Sequence, residues 1–173
     1  MATFTVDSIN DTFAVATPGT NELRSLILQA NASPGADIIE FDPNLSGQTI
    51  ALALGELTIT DELIIDGDID NDGSPDVTID ANLQTRVFNI NDGDSATNSS
   101  TILDGLIIEN GMAQGNISGF GGPGGNILTF ENLTVTGSII RGGDAGYGGG
   151  IFVFENDLTI SGSTLCTGQK IDY

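Results

Sequence analysis

The chain copies itself at a fixed interval, and that repeat limits its fold more than any other feature. Displaced by 25 residues, Gly124 falls on Gly149, Gly125 on Gly150, Leu133 on Leu158, Thr134 on Thr159, Gly137 on Gly162 and Ser138 on Ser163. GLIIENG is a looser copy, with Leu106 lying 27 residues before Leu133. The repeated unit is strand and glycine turn without a helix. A period in the twenties built that way predicts a β-solenoid rather than a leucine-rich or ankyrin array. A β-sandwich also shows alternating strands, at intervals of about 8 to 12 residues. It does not require whole blocks in register, including the turns GGPGGN (121–126) and YGGGI (147–151), so the solenoid is preferred.

Seven segments alternate apolar residues with Thr or acid: ELTIT (56–60), ELIID (62–66), VTID (77–80), VFNI (87–90), GLIIEN (105–110), NLTVTGS (132–138) and DLTISGS (157–163). Period-two alternation is the pattern of a half-buried strand. In a coil, Leu133 and Val135 stack inward over Leu158 and Ile160, while Thr134, Thr136, Thr159 and Ser161 face out. One segment has helical period instead. In NELRSLILQANA, Leu23, Leu26, Ile27 and Ala30 fall at i, i+3, i+4 and i+7, which predicts an amphipathic helix from about Asn21 to Asn31. Thr20 or Asn21 is the expected cap and Pro34-Gly35 the stop. An open coil end exposes apolar side chains and unpaired strand groups, and this helix is the expected cover.

The 173 residues suit one domain. Its formal charge of -20, from 24 acidic and 4 basic residues, repels nucleic acid and anionic lipid and attracts cations. A hydrophobic share of 39% opposes disorder. Cys166 is the single cysteine and there is no His; thiolate clusters and imidazole chemistry are thereby removed. MATFTVDSIND lacks the pattern of a signal peptide, and no stretch approaches a membrane span.

The run from ELRSLILQANASPGADIIEF through ELIIDG, followed by VTIDAN, GLIIENG, GGPGGNILTFENLTVTGS and GGGIFVFENDLTISGS, resembles the right-handed parallel β-helix repeat proteins of bacteria. The glycine-turn repeats are similar to polymorphic outer-membrane-protein-like or pectate-lyase-like repeats. The likeness extends from about Thr3 to Thr164. It implies an all-β, right-handed parallel β-helix with a short N-terminal capping α-helix, in a long surface or secreted protein. Because this architecture carries lyases, hydrolases, adhesins and autotransporter passengers alike, it does not fix an activity. After DLTISGST the chain departs from the pattern and reads LCTGQKIDY.

One loop has ligand spacing. Asp68-x-Asp70-x-Asp72-Gly73-x-x-Asp76 places carboxylates at relative positions 1, 3, 5 and 9, Gly at 6, and the carbonyl of Ser74 at 7. Hard cations take oxygens from alternate residues of such a loop. Position 12 is Ile79, so the terminal Glu of an EF-hand is missing; the pattern resembles the shorter DxDxDGxxD loops of extracellular repeat proteins. Crowded carboxylates also disfavour one another's ionised form unless a cation lies among them. We read Asp68, Asp70, Asp72, Ser74 and Asp76 as a calcium site, with Asp66 or Asp80 as further donors. An acidic surface turn is the plain alternative. NINDGDSATN (89–98), with Asn91, Asp92 and Asp94, reads as an Asx-rich turn, and Asp7 with Asp11 is weaker still.

A lyase of this architecture needs a cationic base beside bound calcium. Arg24 lies on the helix and Lys170 in the tail, leaving Arg86 and Arg141, of which Arg86 follows the Asp loop most closely. No convergent carboxylate pair is evident for a hydrolase. Outward Thr58, Thr60, Thr134, Thr136 and Thr159 suggest an ice-binding face, but Ile107 and Glu109 interrupt it. The expectation is therefore a single domain over 1–173: strand and capping helix over 1–35, coil over 36–164, and an atypical tail over 165–173. It is expected to be non-catalytic, stabilised by calcium, extracellular or on the cell surface, and prone to self-association through its bare C-terminal end. Carbohydrate or a cell surface is a further expected partner, and a polysaccharide-active enzyme is the alternative.

Overall fold

β-branched and other apolar residues alternate with polar ones in short runs along the chain, and these runs become short strands, most of them with one buried side. The computed structural model describes residues 1–13, 15–16, 19–94, 98–113, 116–117 and 120–166. In chain order the strands are β1 (Thr3–Val6), β2 (Asp37–Phe41), β3 (Thr49–Ala51), β4 (Leu57–Ile59), β5 (Leu63–Asp66), β6 (Val77–Asp80), β7 (Phe88–Ile90), β8 (Ser100–Asp104) and β9 (Leu106–Glu109). They continue with β10 (Asn116–Ile117), β11 (Phe120–Gly121), β12 (Ile127–Thr129), β13 (Asn132–Thr136), β14 (Ile139–Arg141), β15 (Ile151–Val153), β16 (Leu158–Ser161) and β17 (Thr164–Leu165).

These strands make three parallel sheets, β1-β2-β5-β8-β13-β16, β3-β6-β9-β14-β17 and β4-β7-β12-β15, with β10 and β11 paired antiparallel. From β2 onward the chain visits the three sheets in rotation, and each return adds a strand beside the previous one. A parallel pair cannot be closed by a tight hairpin; here the crossover is made by strands of the other two sheets. The result is a mostly-β chain compatible with a parallel β-solenoid. Its core is the inward column of each sheet, including Ile39, Ile65, Leu103 and Val135, each fully buried.

The seven expected strands all form, as β4, β5, β6, β7, β9, β13 and β16. Leu133 pairs with Leu158, Thr134 with Thr159, Val135 with Ile160 and Thr136 with Ser161, the register read from the repeat. Two parts of the repeat are corrected. Between β12 and β15 the step is 24 residues, from Ile127 to Ile151, so Gly124 matches Gly148 rather than Gly149. Both have positive φ, 68° and 61°. The extra residue is Asp157, which turns the ENL of 131–133 into the ENDL of 155–158. The likeness of GLIIENG to the β13 block is also out of phase: Leu133 lies beside Thr101, while Ile139 lies beside Ile107. That step is 32 residues because the β10–β11 hairpin lengthens the path, so a 27-residue shift matches strands of different sheets.

The helix α1 spans Leu23–Ala30, and its stripe of Leu23, Leu26, Ile27 and Ala30 is buried. It packs against β1, β2 and β4 at the N-terminal end of the core. Helical structure is not confined to this element, since Pro43–Leu45 forms a 3-10 turn whose first N–H groups are met by Asp42. The N-cap of α1 is Glu22, not Thr20 or Asn21. Glu22 is held there because its carboxylate accepts the backbone N–H groups of Thr12 and Phe13 and the Thr12 hydroxyl. Asn21 turns away to donate to Asp7.

The opposite end is bare among the described residues. Leu158 and Ile160 of β16 and Leu165 of β17 are about two-fifths exposed (40%, 40% and 43%), although their equivalents Leu133, Val135 and Ile140 are buried. Of the tail, Leu165 and Cys166 are described and Lys170 lies outside the described residues. Among the described residues no helix is long and apolar enough to cross a membrane.

Candidate metal centre

The Asp loop lies between β5 and β6, at the corner joining two of the parallel sheets. Alternate residues at a strand end cannot all face the core, and here they curl the backbone around themselves. Asp68 accepts the N–H groups of Asp72 (3.0 Å) and Gly73 (2.9 Å), and Asp72 accepts that of Ser74 (2.8 Å). Asp76 reaches back to the N–H of Ile69 at 2.9 Å and takes the Ser46 hydroxyl at 2.8 Å. The curl needs left-handed backbone at Asn71 (φ 58°) and Gly73 (φ 83°). Asn and Gly are the residues that adopt it at least cost.

Oxygens of Asp68, Asp70 and Asp76 lie within 4.8 Å of one another, a grouping that could hold a metal ion. Of the residues expected from spacing, these three converge; Asp72 is not part of that grouping, and its carboxylate is turned to the Ser74 N–H. Ser74 is therefore placed by its N–H on Asp72, one residue beyond the sharp turn at Gly73. An all-oxygen, anionic donor set suits a hard cation. The surrounding charge points the same way. Glu40, Asp66 and Asp104 stand side by side on β2, β5 and β8. Burial, followed by the negative charges of Asp104, Asp68 and Glu40, pushes the Asp66 carboxyl above its ordinary range despite the N–H it accepts from Asp68. A cleft of about 220 Å³ lined by Glu40, Phe41, Asp66, Asp68, Ile69 and Asn71 opens beside the loop.

The loop is braced on three neighbouring turns. Asp76 donates its N–H to Gly67 and Gly105 carbonyls and accepts the Gly47 N–H. A Cβ at Gly137 would lie 3.2 Å from the Gly73 carbonyl oxygen. Gly105 is the tightest contact: its φ is 59°, and an added Cβ would lie 2.3 Å from the Asp68 nitrogen. Gly105→Ala should cost about 2–4 kcal/mol, from overpacking plus left-handed strain. The urea midpoint reads it, and an unchanged midpoint would mean that the loop is not seated on this corner.

The described cations are all engaged with carboxylates. Arg86 donates to Glu56 at 3.1 Å and to the Pro123 carbonyl at 2.9 Å. It borders a cavity of about 560 Å³ formed by residues 52–56 and 84–86, and none of its hydrogen bonds reaches the Asp loop. This corrects the expectation from sequence order, because the nine intervening residues carry the chain through β6 to a different corner. Arg141 bonds Glu109 at 2.6 Å. Arg24 binds Asp11 through Nε at 2.6 Å and Nη2 at 3.0 Å, both side chains buried. Asp11, read from sequence as a weak metal candidate, is thus an ion-pair partner. The signal that could have found it is the scarcity of cations, since a lone Arg beside an apolar helix stripe needs a carboxylate partner when the helix is buried. The outward threonines form no continuous array: Thr58 lies beside Asn89, and Thr134 beside Ile102. Ile107 and Glu109 stand on the β3-containing sheet, so they do not interrupt those threonines. In NINDGDSATN, Asn91 accepts the Gly93 N–H and Asp92 that of Asp94, an Asx turn as read, and residues 95–97 lie outside the described residues.

No family model, curated protein or solved structure matches the chain.

Proposed function

We propose that the chain is a right-handed parallel β-helix of the kind carried by bacterial surface and secreted repeat proteins, and that it serves as a non-catalytic, calcium-stabilised structural or adhesive module. The handedness follows from the general preference of parallel crossovers, which is about 98% right-handed. The observation that carries the reading is the convergence of Asp68, Asp70 and Asp76 on a loop braced across neighbouring turns. A cation there ties together turns that the core alone leaves to repel, in a chain of charge -20. Asp72 and the Ser74 carbonyl complete the ligand set when the loop closes on calcium. An extracellular setting, where calcium is abundant, fits that dependence. The exposed Leu158, Ile160 and Leu165 support self-association through the C-terminal end. Carbohydrate or a cell surface remains the expected further ligand of an adhesive coil. The polysaccharide-active alternative has no specific observation in its favour, since Arg86 is committed to Glu56 away from the Asp loop.

Isothermal titration of calcium into the chelator-stripped chain tests this. One site in wild type that disappears in Asp70→Ala is expected, because Asp70 is exposed and accepts only the Asp72 N–H among the described residues. Absence of binding in the wild type would reduce the loop to an acidic turn.

A further inference from the structure

Four carboxylates are buried among the described residues, Asp11, Glu22, Asp37 and Glu131, and three of them have both oxygens engaged. Asp11 takes the Arg24 guanidinium with the Ala53 and Leu54 N–H groups. Glu22 takes the N–H groups of Thr12 and Phe13 with the Thr12 hydroxyl, and Glu131 those of Asp92 and Ser99. Asp37, at the start of β2, is the exception. It is 1% exposed; its Oδ1 accepts the Ala2 N–H at 2.5 Å, and its Oδ2 is buried with no hydrogen-bond partner among the described residues. The Met1 α-ammonium stands 4.0 Å from Oδ1, beyond hydrogen-bond reach. Ala2 is fixed more firmly, because its carbonyl accepts the Ile38 N–H at 2.9 Å and β1 pairs with β2 from the next residue on.

We propose that Asp37 is the receptor for an α-ammonium group on Ala2, released when Met1 is removed by hydrolysis, and that the resulting buried ion pair anchors β1 on β2. In that step the oxygen of one water joins the Met1 carbonyl carbon, the C–N bond to Ala2 breaks, and both protons of the water go to the Ala2 nitrogen; methionine leaves as the free amino acid. A buried carboxylate served by one neutral donor is costly. The amide nitrogen of Ala2 offers Asp37 a single hydrogen, whereas an ammonium at the same place offers three, enough to meet Oδ2 as well as Oδ1, in charge-assisted bonds about twice as strong. Removal thus moves the positive charge from 4.0 Å to the 2.5 Å position already held by the Ala2 nitrogen. Little is lost with Met1, which is 82% exposed and outside the core, and the small side chain of Ala2 leaves the bond open to an aminopeptidase.

Two forms of the full chain test this: one expressed with methionine excision inhibited, the other made from it with purified methionine aminopeptidase and verified by intact mass. The form that starts at Ala2 should melt about 5 °C higher. Enzymatic Nα-acetylation turns its ammonium back into an amide with one hydrogen and should erase that gain, which separates the charge from the mere loss of Met1. Asp37→Asn keeps an acceptor for a neutral N–H but carries no charge, so it should cost little in the Met1 form and about 5 °C more in the Ala2 form. The chain expressed without inhibitor should show Met1 removed by intact mass. Met1 retained there, equal melting of the two forms, a gain that survives acetylation, or an equal cost of Asp37→Asn in both would each overturn the proposal. Should Asp37→Asn fail to fold, the acetylation comparison still decides.

Discussion

Arg24→Ala is expected to lower the melting temperature by roughly 10 °C, because removing one partner of a buried pair costs about 3–5 kcal/mol. Arg24 makes four contacts at once: two to Asp11, one to the Gly55 carbonyl at 2.5 Å and one to the Glu56 carbonyl at 2.8 Å. Asp11 in turn accepts the N–H groups of Ala53 (2.7 Å) and Leu54 (3.0 Å). The pair thus joins α1, the segment before it and the turn preceding β4, which is the whole N-terminal cover of the core. Lys has no planar fork to span these acceptors, so Arg24→Lys should recover little. Burial raises the Asp11 carboxyl, but the Arg24 hydrogen bond, the Ala53 and Leu54 N–H groups and the Arg24 charge together hold it below its ordinary range. A depressed folded pKa gives stability that is present above the unfolded value and lost as pH falls through the folded one. The gap between wild type and Arg24→Ala in thermal unfolding should therefore stay open at neutral pH and close only in strong acid. A loss under about 1 kcal/mol would mean the pair is screened by water as a surface bridge is.

What could be read before folding was whatever repeats locally. Leu133-Thr-Val-Thr and Leu158-Thr-Ile-Ser declare their faces by alternation, and their pairing in register follows from identical spacing. Strands such as Thr49–Ala51, Ile139–Arg141 and Ile151–Val153 are three residues long, too short for a period to show, and exist because a strand of a neighbouring turn, β6, β9 and β12 respectively, offers its edge. The Asp loop shows the same limit at a site. Spacing marks which carboxylates can converge, but Asp72 is drawn aside by the Ser74 N–H and Asp76 is drawn in by Ser46, 30 residues earlier. The scarcity of cations marks Arg24 as needing a carboxylate, but its pairing with Asp11 was not legible, because only the folded chain makes the two residues neighbours.

Calcium should raise the melting temperature of the wild-type chain by roughly 5–10 °C when present at about a hundred times its dissociation constant, which corresponds to about 2.7 kcal/mol of linkage. The difficulty is that any salt stabilises a chain of charge -20 by screening, so the magnitude alone does not identify a site. Asp70→Ala separates the two effects. It removes one converging carboxylate while leaving Asp68 and Asp76 their backbone partners, so in chelator it should melt close to wild type. Asp68→Ala should instead lose about 1 kcal/mol or more even in chelator, because the Asp72 and Gly73 N–H groups lose their acceptor. Magnesium adds a second control, since it demands six-fold geometry and dehydrates reluctantly; a loop that selects calcium should respond weakly to it at equal ionic strength. If calcium raises Asp70→Ala as much as wild type, the stabilisation is screening of the whole acidic surface, and the loop from Asp68 to Asp76 is a turn that happens to be crowded with charge.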